Sequence, residues 1–151
     1  LQVDLEGSSS LNSAANIKLI EEVIDSNYEE IISNCFGLWI NCLWIRYEEL
    51  SSFDEYREAF FLLLRRLLDE GHVRFIKPDI DIYFVAGKPP PNLSIDDEEN
   101  HWIADTDGIL EHLRKSWPEC ANNFNDESVS LFFFEIPPLI WKDENGVWRG
   151  S

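Results

Sequence analysis

The hydrophobic period of this chain changes at Gly71, and that change limits the folds open to it. Within residues 53–70, Tyr56, Phe60, Leu63, Leu64 and Leu67 recur at three- and four-residue spacing, the pattern of a helix with one buried stripe. Asp54, Glu58, Arg65 and Asp69 fall on the opposite face, with Phe61 and Leu62 at its margins. Ser51, Ser52 or Asp54 supplies the N-terminal cap, and Gly71 stands where helices end in a left-handed residue. Beyond it, residues 73–76 and 80–85 read as strands with a turn at Pro78-Asp79. A chain that holds both periods in succession needs a helical layer and a sheet.

The rest of the chain fits that scheme. Ile17, Ile20, Val23, Ile24, Tyr28 and Ile31 mark an amphipathic helix whose charged face carries Glu21, Glu22, Asp25, Glu29 and Glu30. The apolar run 35–45 reads as a second, central helix, with the break at Asn34 or Gly37. It has about half of the ~20 residues that a bilayer crossing requires, which makes it core. Lys88-Pro-Pro-Pro-Asn92 is a stiff loop. Thr106 or Asp107 caps a short helix through Ile109, Leu110, Leu113 and Trp117, stopped by Pro118. Residues 130–136 read as a strand ended by Pro137-Pro138, and residues 139–142 and 147–149 flank the turn Asp143-Glu-Asn-Gly146. The expected fold class is α+β: N-terminal helices packed on a small antiparallel sheet with a C-terminal hairpin. Residues 1–13, polar and Ser-rich without a basic start and apolar segment, are set aside as a disordered or added leader, leaving 14–151 as one domain.

Charge decides which partners are plausible. The 151 residues hold 12 Lys and Arg against 29 Asp and Glu, a net charge of −17, so direct binding to a phosphate backbone is excluded as an expectation. A basic protein is attracted by the same field. Residues 79–113 concentrate the acidity, with Lys88 alone against nine acids, and no Lys or Arg occurs between Pro89 and Leu113. Cys35, Cys42 and Cys120 form no CxxC pair, and a reducing cytoplasm is the expected compartment. On a continuous helix Cys35 and Cys42 stand two turns apart, too far for a disulfide, so both read as core packing. Cys120 has no adjacent basic group to activate it.

Enzyme signatures are absent: there is no Walker loop, GxGxxG, GxSxG or HExxH. His72 follows the Gly71 stop and faces the negative end of the helix. His112 reads as a surface or half-buried residue among leucines. Asp79 and Asp81 share one face of an extended stretch, and with His101 and Asp105 they make the alternative reading, a metal-dependent hydrolase. A further alternative is an oligomeric structural subunit joined through Phe61 and Leu62, although a helix covered on two sides explains that pair more simply. The leading reading assigns no catalytic residue, metal or cofactor and no membrane contact. It makes Asp79, Asp81, Asp96, Asp97, Glu98, Glu99, His101, Trp102, Asp105 and Asp107 a partner-binding surface, with help from the acidic N-terminal helix. Carboxylates there pair with Lys and Arg of the partner, and Trp102 anchors.

Three segments carry a family resemblance: Phe60-Phe-Leu-Leu-Leu-Arg-Arg-Leu-Leu-Asp-Glu-Gly-His-Val-Arg-Phe75, Ile109-Leu-Glu-His-Leu-Arg-Lys-Ser-Trp-Pro118 and Phe132-Phe-Phe-Glu-Ile-Pro-Pro-Leu-Ile-Trp141. Over residues 30–142 the chain resembles a family of small bacterial proteins known as a domain of unknown function. Some members stand beside toxins of contact-dependent growth inhibition, as cognate immunity proteins. The resemblance implies a cytoplasmic protein that neutralises a basic toxin domain, a nuclease by expectation, and it brings no catalytic residues. The chain departs from the short form of the pattern by an insertion over residues 80–101, which suits partner-specific contacts.

Overall fold

The computed structural model describes residues 5–78, 95 and 98–150. The helix α2 (Phe53–Asp69) has both ends closed by neighbouring residues. At the start, the Ser52 hydroxyl accepts from the Glu55 amide at 3.1 Å, while the Glu55 carboxylate accepts from the amides of Ser52 at 3.1 Å and Ser51 at 2.8 Å. This reciprocal box satisfies amides that a helix start leaves unpaired. At the end, Gly71 takes φ +80°, and the amides of Gly71 and His72 return to the carbonyls of Leu68 and Leu67 at 3.1 and 2.9 Å. His72 then places its ring 3.5 Å from the Glu70 carboxylate and edge-on to Tyr28.

Preceding α2 are α1 (Leu5–Cys35), which begins inside the segment set aside above, and a short 3-10 turn, Ile40–Leu43. After α2 come β1 (Val73–Phe75), a 3-10 turn at Glu98–Asn100, α3 (Thr106–Ser116), α4 (Glu127–Glu135), β2 (Leu139–Lys142) and β3 (Trp148–Arg149). The sheet has the order β1-β2-β3 and is antiparallel throughout, with Val73 opposite Trp141 and Lys142 opposite Trp148. The class is thus α+β, with the C-terminal hairpin supplying the middle strand. Among the described residues no helix is long and apolar enough to cross a membrane.

One apolar core joins the layers. Ile20, Val23, Ile24, Tyr28 and Ile31 of α1 and Phe60, Leu63, Leu64 and Leu67 of α2 belong to it, together with Val73, Phe75 and Trp141 of the sheet. Polar clamps fix the α1–α2 pair at its edge: Tyr28 donates to Glu70 at 3.0 Å, Arg66 to Asp25 at 3.1 Å, and the Arg66 guanidinium lies 3.8 Å from the Tyr28 ring centre. Trp44 is the centre of an aromatic cluster. It stacks on Phe124 at 4.9 Å, donates its indole N–H to the Phe124 carbonyl at 2.9 Å, and meets Phe53, Phe60, Trp117 and Phe133. Phe61 is 1% exposed and Leu62 packs against the core, so α2 is covered on two sides and Phe61 is not available to join subunits.

Three sequence expectations are corrected. Residues 35–45 do not continue as a helix. The run is apolar but has no helical period, and α1 stops at Cys35, turns at Gly37 (φ +79°) and re-forms only the 3-10 turn. Cys35, Ile40 and Leu43 therefore point inward while Phe36, Leu38 and Trp39 point out. The turn also brings the two cysteines together: the Cys35 thiol donates to the Cys42 carbonyl at 3.4 Å. Residues 130–136 are not a strand but most of α4, capped by Asp126, whose carboxylate accepts from the Ser128 amide at 2.9 Å. Val129, Phe132 and Phe133 fill the helical inward positions. Finally, α3 is capped by Asp105 rather than by Thr106 or Asp107. Thr106 instead donates to Asp69 at 2.6 Å. The expected strand 80–85 and loop 88–92 lie outside the described residues.

Candidate partner-binding surface

The described carboxylates of the acidic stretch are divided among separate contacts. Asp79, Asp81, Asp96 and Asp97 lie outside the described residues. Glu98 is exposed but paired with Arg74 at 3.0 Å, and Asp107 is paired with Arg65 at 2.6 Å. Asp105 holds the Gly108 amide at 2.7 Å. Glu99 is exposed. Within this stretch, then, three described carboxylates already serve the fold.

His101 is fully buried, and the reason is a specific set of bonds. Its backbone bridges Ile76 at the end of β1, and its ring stands edge-on to Trp148 at 5.3 Å. Nδ1 lies 3.1 Å from Arg74 Nη1 and Nε2 lies 2.7 Å from the Ile95 carbonyl. A guanidinium only donates, so Nδ1 accepts and Nε2 carries the proton. Both nitrogens are used, which removes His101 from partner contact and from the metal set proposed with Asp79, Asp81 and Asp105. Among the described residues no group of three His, Cys, Asp or Glu side chains is arranged to hold a metal ion. Trp102 is half-buried: it packs on Phe75 at 6.0 Å and on His112 at 5.0 Å, and its amide donates to the Phe75 carbonyl at 2.8 Å. It serves the core more than an interface.

A different surface gathers the properties expected of one. On α1, Glu21, Glu22, Glu29 and Glu30 are exposed and form no ion pair among the described residues, whereas Asp25 is held by Arg66. Glu48 and Glu49, after the turn, share an opening with Glu30 and extend the same unpaired acidity. Next to it the Gly37 turn displays Phe36, Leu38 and Trp39, each more than 40% exposed. Trp39 stacks on Phe134 of α4 at 6.2 Å, and Phe134 is 71% exposed. Behind this pair runs an apolar groove of about 450 Å³ lined by Ile40, Pro137, Pro138 and Ile140.

Sequence reasoning missed the aromatic half of this surface because it placed Trp39 in a central helix and Phe134 in a strand. One signal was present: three consecutive Phe residues, 132–134, cannot all face one core from a single helix. The turn itself is anchored rather than loose. The Trp141 indole N–H donates to the Leu38 carbonyl at 3.2 Å, and Phe36 packs on the same ring at 6.1 Å.

No family model matches the chain, and no curated protein matches it. Among solved structures it is similar to an uncharacterised protein conserved in bacteria, from Neisseria meningitidis, at 21% identity and a TM-score of 0.64. The match covers 94% of this chain and 97% of that one, so the two share the fold over nearly their whole lengths.

Proposed function

We propose that this chain is a non-enzymatic inhibitor of the immunity-protein kind, acting in the cytoplasm on a basic toxin domain, most simply a nuclease. The observation that carries the reading is the row of unpaired carboxylates on α1, continued by Glu48 and Glu49, beside the exposed Trp39–Phe134 stack. Carboxylates of this kind occupy the Lys and Arg sites at which a nuclease would hold phosphates. Charge at the rim speeds the encounter and selects the partner, and burial of an aromatic anchor slows dissociation. The centre of the surface moves from the 79–113 stretch to α1 and the Gly37 turn, because Glu98, Asp105 and Asp107 already hold Arg74, the α3 start and Arg65.

The test starts from the neighbouring gene: an adjacent exported protein with a basic C-terminal domain supports the reading, a metabolic operon counts against it, and the chain is then co-expressed with that domain. The wild-type chain is expected to rescue growth and to bind that domain with an affinity that falls as salt rises. Glu21→Lys, Glu22→Lys, Glu29→Lys and Glu30→Lys together should abolish rescue, and Trp39→Ala with Phe134→Ala should shorten the lifetime of the complex. Rescue undiminished by both sets, but lost on charge reversal of Asp96, Asp97, Glu98 and Glu99, returns the interface to the loop. Failure of the wild-type chain to bind or rescue removes the proposed function.

A further inference from the structure

The proposed surface leaves unused two thiols brought together at its edge. Cys35 ends α1 and Cys42 lies in the 3-10 turn that follows, seven residues on across the Gly37 bend. Their contacts are reciprocal: Cys35 Sγ is 3.4 Å from the Cys42 carbonyl, and Cys42 Sγ is 3.9 Å from the Cys35 carbonyl. Each sulfur thus lies against the other residue's backbone. Cys35 is buried, while Cys42 is half-buried on the wall of an opening of about 390 Å³ that Glu30, Asn34, Tyr47 and Glu48 also line. In that wall the Tyr47 hydroxyl is buried without a hydrogen-bond partner, an uncommon expense for a site that only packs.

We infer that Cys35 and Cys42 are a dithiol that closes to an intramolecular disulfide when a low-molecular-weight disulfide reaches the opening. The reaction takes two exchanges. Cys42, the accessible sulfur, gives up its proton and attacks one sulfur of the small disulfide, whose S–S bond breaks and releases a thiolate. Cys35 then gives up its proton and attacks Cys42 Sγ, and the mixed bond breaks with release of a second thiolate. The two protons end on the two released thiols. Both protein sulfurs are oxidised, and the small disulfide is reduced to two thiols. In the reduced pair the side-chain hydrogen bond between the two thiols holds Cys35 below the ordinary range. The same hydrogen bond, and then burial, pushes Cys42 up, so entry at Cys42 is the slow exchange.

The ring so formed contains Phe36, Leu38 and Trp39, and closing it pins the aromatic turn. The inference rests on the thiol geometry alone and stands whether or not the chain inhibits a toxin.

The sequence makes the test clean, because no Lys or Arg lies between Lys18 and Arg46. Trypsin therefore leaves both cysteines in peptide 19–46, and Cys120 falls in peptide 116–142. The reduced full-length chain is equilibrated in buffers of increasing oxidised to reduced glutathione ratio, its free thiols are alkylated, and the peptides are weighed. Peptide 19–46 is expected to lose both alkyl labels together and become two hydrogens lighter than its unlabelled reduced form. In denaturant the same change should need a several-fold more oxidising ratio. In Cys35→Ser, Cys42 should stop at a glutathione adduct. The inference is overturned if peptide 19–46 keeps a label or a glutathione on either cysteine at every ratio, if either pairs with Cys120 instead, or if folded and denatured chains close at the same ratio.

Discussion

Arg114 of α3 holds Glu58 of α2 with two hydrogen bonds, Nη1 to Oε2 at 3.1 Å and Nη2 to Oε1 at 2.8 Å, while its guanidinium carbon sits 4.2 Å from the centre of the Phe61 ring. Arg57 adds a third bond to Glu58 at 2.9 Å. Burial works to raise the Glu58 pKa, but the bonds from Arg114 and Arg57 outweigh it and hold the carboxyl below its usual range.

A pH signature follows from this pair. A carboxyl depressed in the folded state contributes stability that is complete above its unfolded pKa and is lost as pH falls through the folded value. Glu58→Gln is therefore expected to lower stability by about 0.5–1 kcal/mol at pH 7, a modest figure because the pair is partly solvated. The difference should shrink in acid, below the ordinary carboxylate range. Denaturant midpoints of both proteins across pH check this, and a difference that stays constant into acid would remove the electrostatic assignment.

His101 gives a second prediction, of protonation pattern rather than of energy alone. Its bonds to Arg74 and to the Ile95 carbonyl require the neutral Nε2–H form. Imidazole nitrogen shifts measured by NMR near neutral pH should report that tautomer. His101→Phe keeps ring volume but strands both partners, and a loss of about 1–3 kcal/mol is expected in equilibrium unfolding.

The two ends of α2 should behave as independent stops. Ser52→Ala is expected to cost about 1 kcal/mol through loss of the capping box. Gly71→Ala should cost about 1 kcal/mol or more, since φ +80° is unfavourable for a residue with a Cβ. Because the sites are a helix length apart, the double variant should show their sum within about 0.5 kcal/mol.

The adjacent residues Phe133 and Phe134 separate a helix from a strand at 127–135. Phe133 is buried and Phe134 is exposed. Phe133→Ala is expected to cost about 3–5 kcal/mol, and Phe134→Gln to stay within about 0.5 kcal/mol. Strand alternation would group Phe132 with Phe134 and give Phe133 the mild outcome.

These contrasts show where the fold was legible in the sequence. The bounds of α2 could be read because Ser52, Glu55 and Gly71 act through bonds to their own neighbours. The hairpin 139–149 was legible for the same reason, with Asp143 accepting from the amides of Asn145 and Val147 within one turn. Residues 130–136 misled because Val and three Phe favour strands in isolation, whereas the Asp126 cap and packing against Trp117 and Phe60 decide for a helix. Residues 35–45 misled because apolarity without period does not name a structure. The acidic character of the candidate surface was visible on α1, but which acids were free was not. That depends on Arg65, Arg66, Arg74 and Arg114, which come from other elements and neutralise Asp107, Asp25, Glu98 and Glu58.

The middle position of β2 sets an order of events during synthesis. β1 leaves the ribosome with Val73 and Phe75 needing a neighbour, and the strand that pairs with it, Leu139–Lys142, is translated more than sixty residues later. Throughout that interval α1 and α2 are complete, and the core face that Trp141 will cover is open to solvent. The nascent chain must therefore wait with one edge of β1 bare until the hairpin 139–149 emerges, a vulnerable stage in which high net negative charge is a direct safeguard against pairing with other unfinished copies.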